Sequence, residues 1–295
     1  MAWETDDAAM TRRRDLEAHR ATLDEIHGIM NSMKSLAYME TRKLAGLLDA
    51  QHAVVEGIEA VAADFLGFYP ETLAGSEKAT DVHVLVGSER GFCGDFNETL
   101  ARYLDTHLEQ TAMESPFLIA VGRKLHPLLE SKSRVPAIID GASTVDEVAE
   151  VIKRLVDAIA ALQMRHGPLS VSVLHHTVDA SGIAFDRLVP PFERFRNGRQ
   201  RFPYPPVMNL QPQAFFLELT DQYVFAALHE VLYASLMAEN HRRVRHLEGA
   251  VRHLDDRSCA LRRKCNALRQ EEIIEEIEII LLSASLFDHE SGERR

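Results

Sequence analysis

The chain has 295 residues, 46% of them hydrophobic and 26% charged, an ordinary globular balance that argues against wholesale disorder and gives a prior of two structural units. Lys plus Arg total 33 against 45 Asp plus Glu, and the resulting charge of −12 disfavours a general nucleic-acid binder, which needs a positive field. The three cysteines, Cys93, Cys259 and Cys265, have no CxxC spacing, which disfavours disulfide and zinc frameworks and points to a reducing compartment.

The amino terminus is acidic, without the apolar core of a secretory signal, and no apolar run approaches the 18 residues of a bilayer span. Direct membrane insertion is therefore not expected, and the protein should be soluble. All 11 prolines fall between Pro70 and Pro212. Proline breaks helix interiors at a cost of about 3 kcal/mol, so the proline-free ends predict two long helices, residues 1–70 and 213–295, around an α/β middle, residues 76–212.

Heptad stepping sharpens this. From Leu16 through Leu23, Ile26, Met30, Ala37, Leu44, Leu47, Val54 and Val61 to Phe68, thirteen of 16 positions are apolar. From Tyr223 through Leu247, Val251, Leu254 and Leu261 to Leu268, eleven of 14 are. A seam repeating every 3.5 residues is what left-handed supercoiling requires, so an antiparallel coiled coil about 100 Å long is predicted. Beyond Leu268 the apolar positions shift by one residue to Ile273, Ile277, Ile280, Ala284 and Phe287, a predicted phase slip.

In the middle, strand-like runs at 82–87, 117–122, 135–139 and 169–178 alternate with helical stretches near 95–113 and 144–165. Strand then helix, repeated, predicts a mostly parallel, Rossmann-like sheet covered by helices. A Pro-rich aromatic return loop, 194–212, leads into the second long helix.

The segment Gly87-Ser-Glu-Arg-Gly91-Phe-Cys-Gly94 lies between a strand and a helix, where a phosphate cradle would sit. Its Gly-x3-Gly-x2-Gly spacing is neither the dinucleotide fingerprint nor a P-loop, which favours a structural turn over a nucleotide site. Cys93 has no base placed beside it in sequence. His241, His246 and His253 miss the i,i+3 or i,i+4 spacing of helical metal ligands, and His175 and His176 share a strand and point to opposite faces. No catalytic residue, metal or cofactor is expected. On the second helix, nine basic residues between Arg242 and Gln270 give way to Glu271, Glu272, Glu275, Glu276 and Glu278, a basic collar beside an acidic one. These residues alone leave open a coiled-coil tether or scaffold, and an α/β nucleotide-binding enzyme with helical arms.

Several motifs resemble the gamma subunit of F-type rotary ATP synthases. Ser88-Glu-Arg90-Gly91-Phe-Cys-Gly94-Asp-Phe-Asn97 is similar to that family's Ser-Asp-Arg-Gly-Leu-Cys-Gly-Gly-x-Asn loop. Ala238-Glu239 with Arg243 and Ala250 resembles its Ser-Glu-x3-Arg-Met-x-Ala-Met-x2-Ala-Thr helix. Arg269-Gln270-x2-Ile273-x2-Glu276-Ile277 resembles its Arg-Gln-x2-Ile-Thr-x-Glu-Leu segment, and Met30–Lys34 with Met39 its first helix. Departures include Ile274 for the family's Thr, Ile279 for its next Glu, and His253-Leu254 for its Asn-Ala; they suit a divergent paralogue, such as the gamma subunit of sodium-pumping or alternate ATPases.

The resemblance implies a non-catalytic rotor stalk. Its partners would be three alpha and three beta subunits, an epsilon subunit and the membrane c-ring, at the cytoplasmic face of a bacterial plasma membrane. It further implies that Arg269, Gln270, Glu276, Arg243 and Met39 lie at the rotor–stator contact, and that Arg90, Gly91, Gly94 and Asn97 organise the first turn of the α/β domain.

Overall fold

The computed structural model describes residues 2–73, 79–111, 116–130, 134–178, 182–196 and 201–292, with the side chains of 2–12, 111 and 282–292 outside that description. Helix α1 spans Ala2–Leu66 and helix α5 spans Pro212–Gly292. Proline marks both boundaries. Pro70 follows α1, where it cannot extend the helix, and Pro212 opens α5, where its missing N–H costs nothing.

Between them run β1 (Thr80–Val86), α2 (Phe96–Thr111), β2 (Phe117–Val121), α3 (His126–Leu129), β3 (Ala137–Ile139), α4 (Val148–His166), β4 (Leu169–His176) and β5 (Ile183–Val189). The sheet order is β3-β2-β1-β4-β5. Strands β1 to β4 pair in parallel, with Val84 opposite Ile119 on one side and Val173 on the other. The sheet is mostly parallel, as expected; β5, a strand the sequence pattern did not reveal, pairs antiparallel to β4 at its edge. Its central Asp186-Arg187 interrupts the apolar run, which an edge strand tolerates because one side faces water.

The chain divides into two compact units, Leu36–His246 and Met1–Ser35 with Leu247–Arg295. In the first, alternation along the strands gives the sheet two apolar faces. Val82, Val84, Val121 and Val173 pack with Leu155 of α4, Leu44 of α1 and Leu228 and Leu232 of α5. Leu85, Leu118, Ala120 and Leu174 face the other way, onto Leu100 and Leu104 of α2 and Leu129 of α3. The two long helices run antiparallel here, since Gln51 Nε2 donates to the Ala226 carbonyl at 3.0 Å while Tyr223 reaches back to Glu59.

The second unit is a helix pair, also antiparallel: Asp24 accepts from Ser258 at 2.9 Å, His27 meets Asp255 at 3.2 Å and Arg13 meets Glu272 at 3.1 Å. The α5 seam follows the predicted heptads, with Leu247, Val251 and Cys265 buried and Leu254, Ser258, Leu261 and Leu268 partly so. Its predicted phase slip does not occur among the described side chains. Glu272 continues the inward row towards Arg13, leaving Ile273, Ile277 and Ile280 exposed; Ala284 and Phe287 lie outside the described side chains.

On α1 the 3.5-residue period holds, but alternate positions are displaced by one residue. Arg20, His27, Thr41, Val55 and Ala62 turn inward, whereas Ile26, Leu47, Val54 and Val61 face out. Polar residues occupy several facing positions, so counting apolar side chains favoured their outward neighbours.

Candidate functional site

The loop between β1 and α2, residues 87–95, lies at the carboxyl ends of the central strands. Because β1 connects to β2 on one side and β4 pairs on its other, this is the topological switch point, where open α/β sheets place their ligands. Gly87 is required here. A Cβ would come within 2.7 Å of Asn97 Oδ1 and of Leu125 Cβ, and a Cβ on Gly122, at φ +105°, would come within 2.6 Å of the Gly87 carbonyl oxygen. The turn is closed by Asn97, which accepts from the Ser88 N–H and donates to the Ser88 hydroxyl, each at 2.9 Å. Phe92 and Gly94 both adopt positive φ.

Helix α5 enters this crevice. The Glu239 carboxylate accepts from the Glu89 and Arg90 N–H groups at 3.2 Å each. One helical turn on, Arg243 pairs with Glu239, donates from Nε to the Gly91 carbonyl at 3.1 Å and from Nη1 to Asn240 Oδ1 at 2.8 Å. Both side chains are about 3% exposed. Burial pushes the Glu239 carboxyl upward from its ordinary range, opposed by Arg243 and the two loop amides. Outside the pair, Arg242 bridges to Asp95 at 2.9 Å with its guanidinium over the Phe96 ring, and the Ser235 hydroxyl donates to the Val86 carbonyl.

The loop is held equally from the sheet side. Glu89 accepts from the Arg123 and Gly141 N–H groups at 2.9 and 2.8 Å and pairs with the Arg123 guanidinium at 3.0 Å. Glu89 therefore ties the ends of β2 and β3, while its own N–H and that of Arg90 are committed to α5.

Cys93 is buried beside this pair, its thiol directed at the Arg90 and Gly91 carbonyls, and burial pushes its pKa up to about 12. A thiol so protonated is a poor nucleophile. His175 and His176 point to opposite faces, towards Asp186 and the Phe96 carbonyl respectively. His241 is half-buried, His246 and His253 are exposed, and among the described residues no cluster has the makings of a metal site.

Of the residues singled out in sequence, the structure brings Arg243 together with Arg90, Gly91 and the Asn97-closed turn. Arg269, Gln270 and Glu276 are exposed on α5 in the helix-pair unit, and Met39 is exposed on α1 in the other unit. Arg243 is turned inward with its donors engaged by the loop and by Glu239 and Asn240. The sequence reading passed over Glu89, Asn240 and the Arg242–Asp95 bridge. Glu89 and Arg242 reach partners 34 to 150 residues away in the chain, which no local pattern betrays, whereas Asn240 bonds within its own stretch of helix, to Leu236 and Arg243.

The comparisons with known proteins agree on one lineage. A family model described as ATP synthase matches residues 12–285. The ATP synthase gamma chain of Rhizobium rhizogenes is 30% identical over 131 residues, which cover 41% of this chain and 44% of that protein's length. The fold resembles a chain of the Euglena gracilis mitochondrial ATP synthase OSCP/F1/c-ring assembly, at 14% identity, 97% coverage of each chain and a TM-score of 0.59. It also resembles a chain of the Tetrahymena thermophila mitochondrial ATP synthase central stalk and c-ring, at 15% identity, 75% coverage of this chain, 99% of that one and a TM-score of 0.53. With the long helices, the switch-point loop and the family match spanning nearly its whole length, the chain belongs to the gamma-subunit family of ATP synthases.

Proposed function

We propose that the chain is the central rotor stalk of an F-type ATP synthase, catalysing nothing itself and coupling ion flow through a membrane ring to conformational change in the catalytic beta subunits. Its partners are three alpha and three beta subunits, an epsilon subunit and the c-ring, and it works as a peripheral component at the cytoplasmic face of a bacterial plasma membrane. Among the described residues, no helix is long and apolar enough to cross a membrane.

The observation that carries this reading is the buried junction of Glu239 and Arg243 with the 87–95 loop. A shaft transmits torque only if the domain that receives it cannot turn independently of the helix that delivers it. Arg269, Gln270, Glu276 and Met39, being exposed, are the residues we assign to the contact with the surrounding subunits, whereas Arg243 acts through the loop. A partner shifts a conformational equilibrium only by its differential affinity for the states, so an asymmetric stalk at each angle favours a different state in each beta subunit.

The test is single-molecule rotation. The chain is assembled with its alpha and beta subunits, a gold particle is attached to an exposed position on α2, and ATP is added. Rotation in one direction with three dwells per turn is expected. ATP hydrolysis without any rotation of the particle would instead identify a static scaffold.

A further inference from the structure

Within the Leu36–His246 unit, a groove of about 790 Å³ lies between α1, α5 and the edge strand β5. It takes no part in the junction described above. Its floor is apolar, formed by Val55 of α1, Ala227 and Val231 of α5, Leu188 of β5 and Phe192. Its rim is acidic, with Asp49, Glu56 and Glu59 on the α1 wall, Glu230 on α5, and Asp186 and Glu193 on the β5 side.

The rim is neutralised internally only in part. Arg187 pairs with Glu193 at 2.8 Å, and Arg194 pairs with Glu59. Of the four remaining carboxylates, three meet imidazoles, His52 lying 2.6 Å from Glu230 and 3.3 Å from Glu56 and His175 lying 3.0 Å from Asp186, while Asp49 is exposed on α1. Glu56 and Asp186 keep 66% and 57% of their side chains exposed. An apolar floor with carboxylates on both walls repels phosphate and anionic headgroups alike. It fits a segment with one apolar stripe and cationic residues on either flank, which is the pattern of a basic amphipathic helix laid in a groove.

We propose that this groove receives an amphipathic helix of a partner polypeptide, its apolar stripe on Val55, Val231 and Leu188 and its Lys or Arg flanks against Asp49, Glu56, Asp186 and Glu230. Asp49 and Glu56 are seven residues apart on α1, two helical turns, so they offer contacts to successive basic turns of an adjacent helix. This binding does not depend on the chain acting as a rotor.

The experiment uses the full chain and three labelled synthetic peptides of about 14 residues, roughly four helical turns. One carries Leu at helical spacing with Lys flanks, one replaces each Lys by Glu, and one replaces each Leu by Ser. Fluorescence anisotropy at physiological salt should detect binding of the Leu/Lys peptide only. Replacing Asp49→Lys with Glu56→Lys, both exposed and outside the junction, should weaken it by about tenfold or more. Replacing Glu275→Lys with Glu278→Lys, exposed elsewhere on α5, should change it less than about twofold. Equal loss in both variants, or equal binding of the Ser/Lys peptide, would reduce the effect to diffuse charge and overturn the proposal. So would absence of binding, or binding of the Leu/Glu peptide as tightly.

Discussion

Glu239 and Arg243 divide one loop between them: the carboxylate takes the amides of Glu89 and Arg90, and the guanidinium takes the carbonyl of Gly91. Each is also the other's counter-charge. Neither could be buried alone.

Removing both members of this pair should therefore cost less than the two single removals added together. A buried ion pair broken on one side costs about 3–5 kcal/mol, because the remaining charge is left uncompensated. Arg243→Met is expected to be destabilised on that scale, and Glu239→Gln together with Arg243→Met by clearly less than the two single changes added. Urea unfolding of the four proteins closes the double-mutant cycle. Strict additivity would show that the two side chains act independently.

A pH dependence follows from His176. Its ring lies 3.9 Å from that of Phe96, its Nε2 is 2.8 Å from the Phe96 carbonyl, and burial lowers its pKa to about 4 from an ordinary 6.5. The folded protein thus binds fewer protons than the unfolded chain between those values. The contribution is fully present above pH 6.5 and is lost as pH falls towards 4. His83 and His241 are shifted downward as well, so the comparison must be with His176→Gln, whose unfolding midpoint should fall less steeply between pH 6.5 and 4 than the wild type's. Parallel curves would clear His176 of any part in the acid response.

The register of the helix-pair unit can be tested covalently. With Cys93, Cys259 and Cys265 replaced by Ser, the pair Asp24→Cys and Ser258→Cys should crosslink under mild oxidation or with a short bis-maleimide, since these side chains are 2.9 Å apart. The same Ser258→Cys with Ile26→Cys, on the outward face, should react far more slowly. Comparable rates would place the α1 seam where apolarity alone puts it.

Arg269→Ala with Gln270→Ala addresses the proposed contact with the surrounding subunits. Both side chains are exposed, so folding should be unaffected, within about 0.5 kcal/mol. Each lost hydrogen bond to a charged group would cost about 1.5–3 kcal/mol at the contact, enough to slow ATP turnover of the assembled complex roughly tenfold. The measurement is ATP hydrolysis by wild-type and variant complexes of equal subunit content, and unchanged turnover removes these residues from the mechanism.

Much of this architecture could be read from the sequence, and the failures have definite physical causes. Proline spacing located α1 and α5 because proline is excluded from helix interiors whatever surrounds it. The α5 heptads from Leu247 to Leu268 survived folding intact, while α1 was misphased at alternate positions, because Arg20, His27 and Thr41 face inward and apolarity cannot select them. The end of the α5 seam was misjudged likewise: an ion pair between Glu272 and Arg13 holds the place assigned to Ile273. Strand β5 escaped notice because an edge strand carries charge in mid-run. The loop at 87–95 and the turn at 239–243 were each conspicuous as motifs. That one binds the other was invisible, since about 150 residues separate them and no local period records a long-range hydrogen bond.

The Glu239 carboxylate occupies two amide donors at the point where sheets of this order seat a diffusible anion. A diffusible anion binds in proportion to its concentration and leaves at a finite rate. This one is carried on a helix of the same chain, so its effective concentration is fixed by geometry and it surrenders no translational freedom on binding. Occupancy is then insensitive to cellular phosphate or nucleotide levels. A joint made in this way has no unliganded state in which to slip, whichever direction the load comes from.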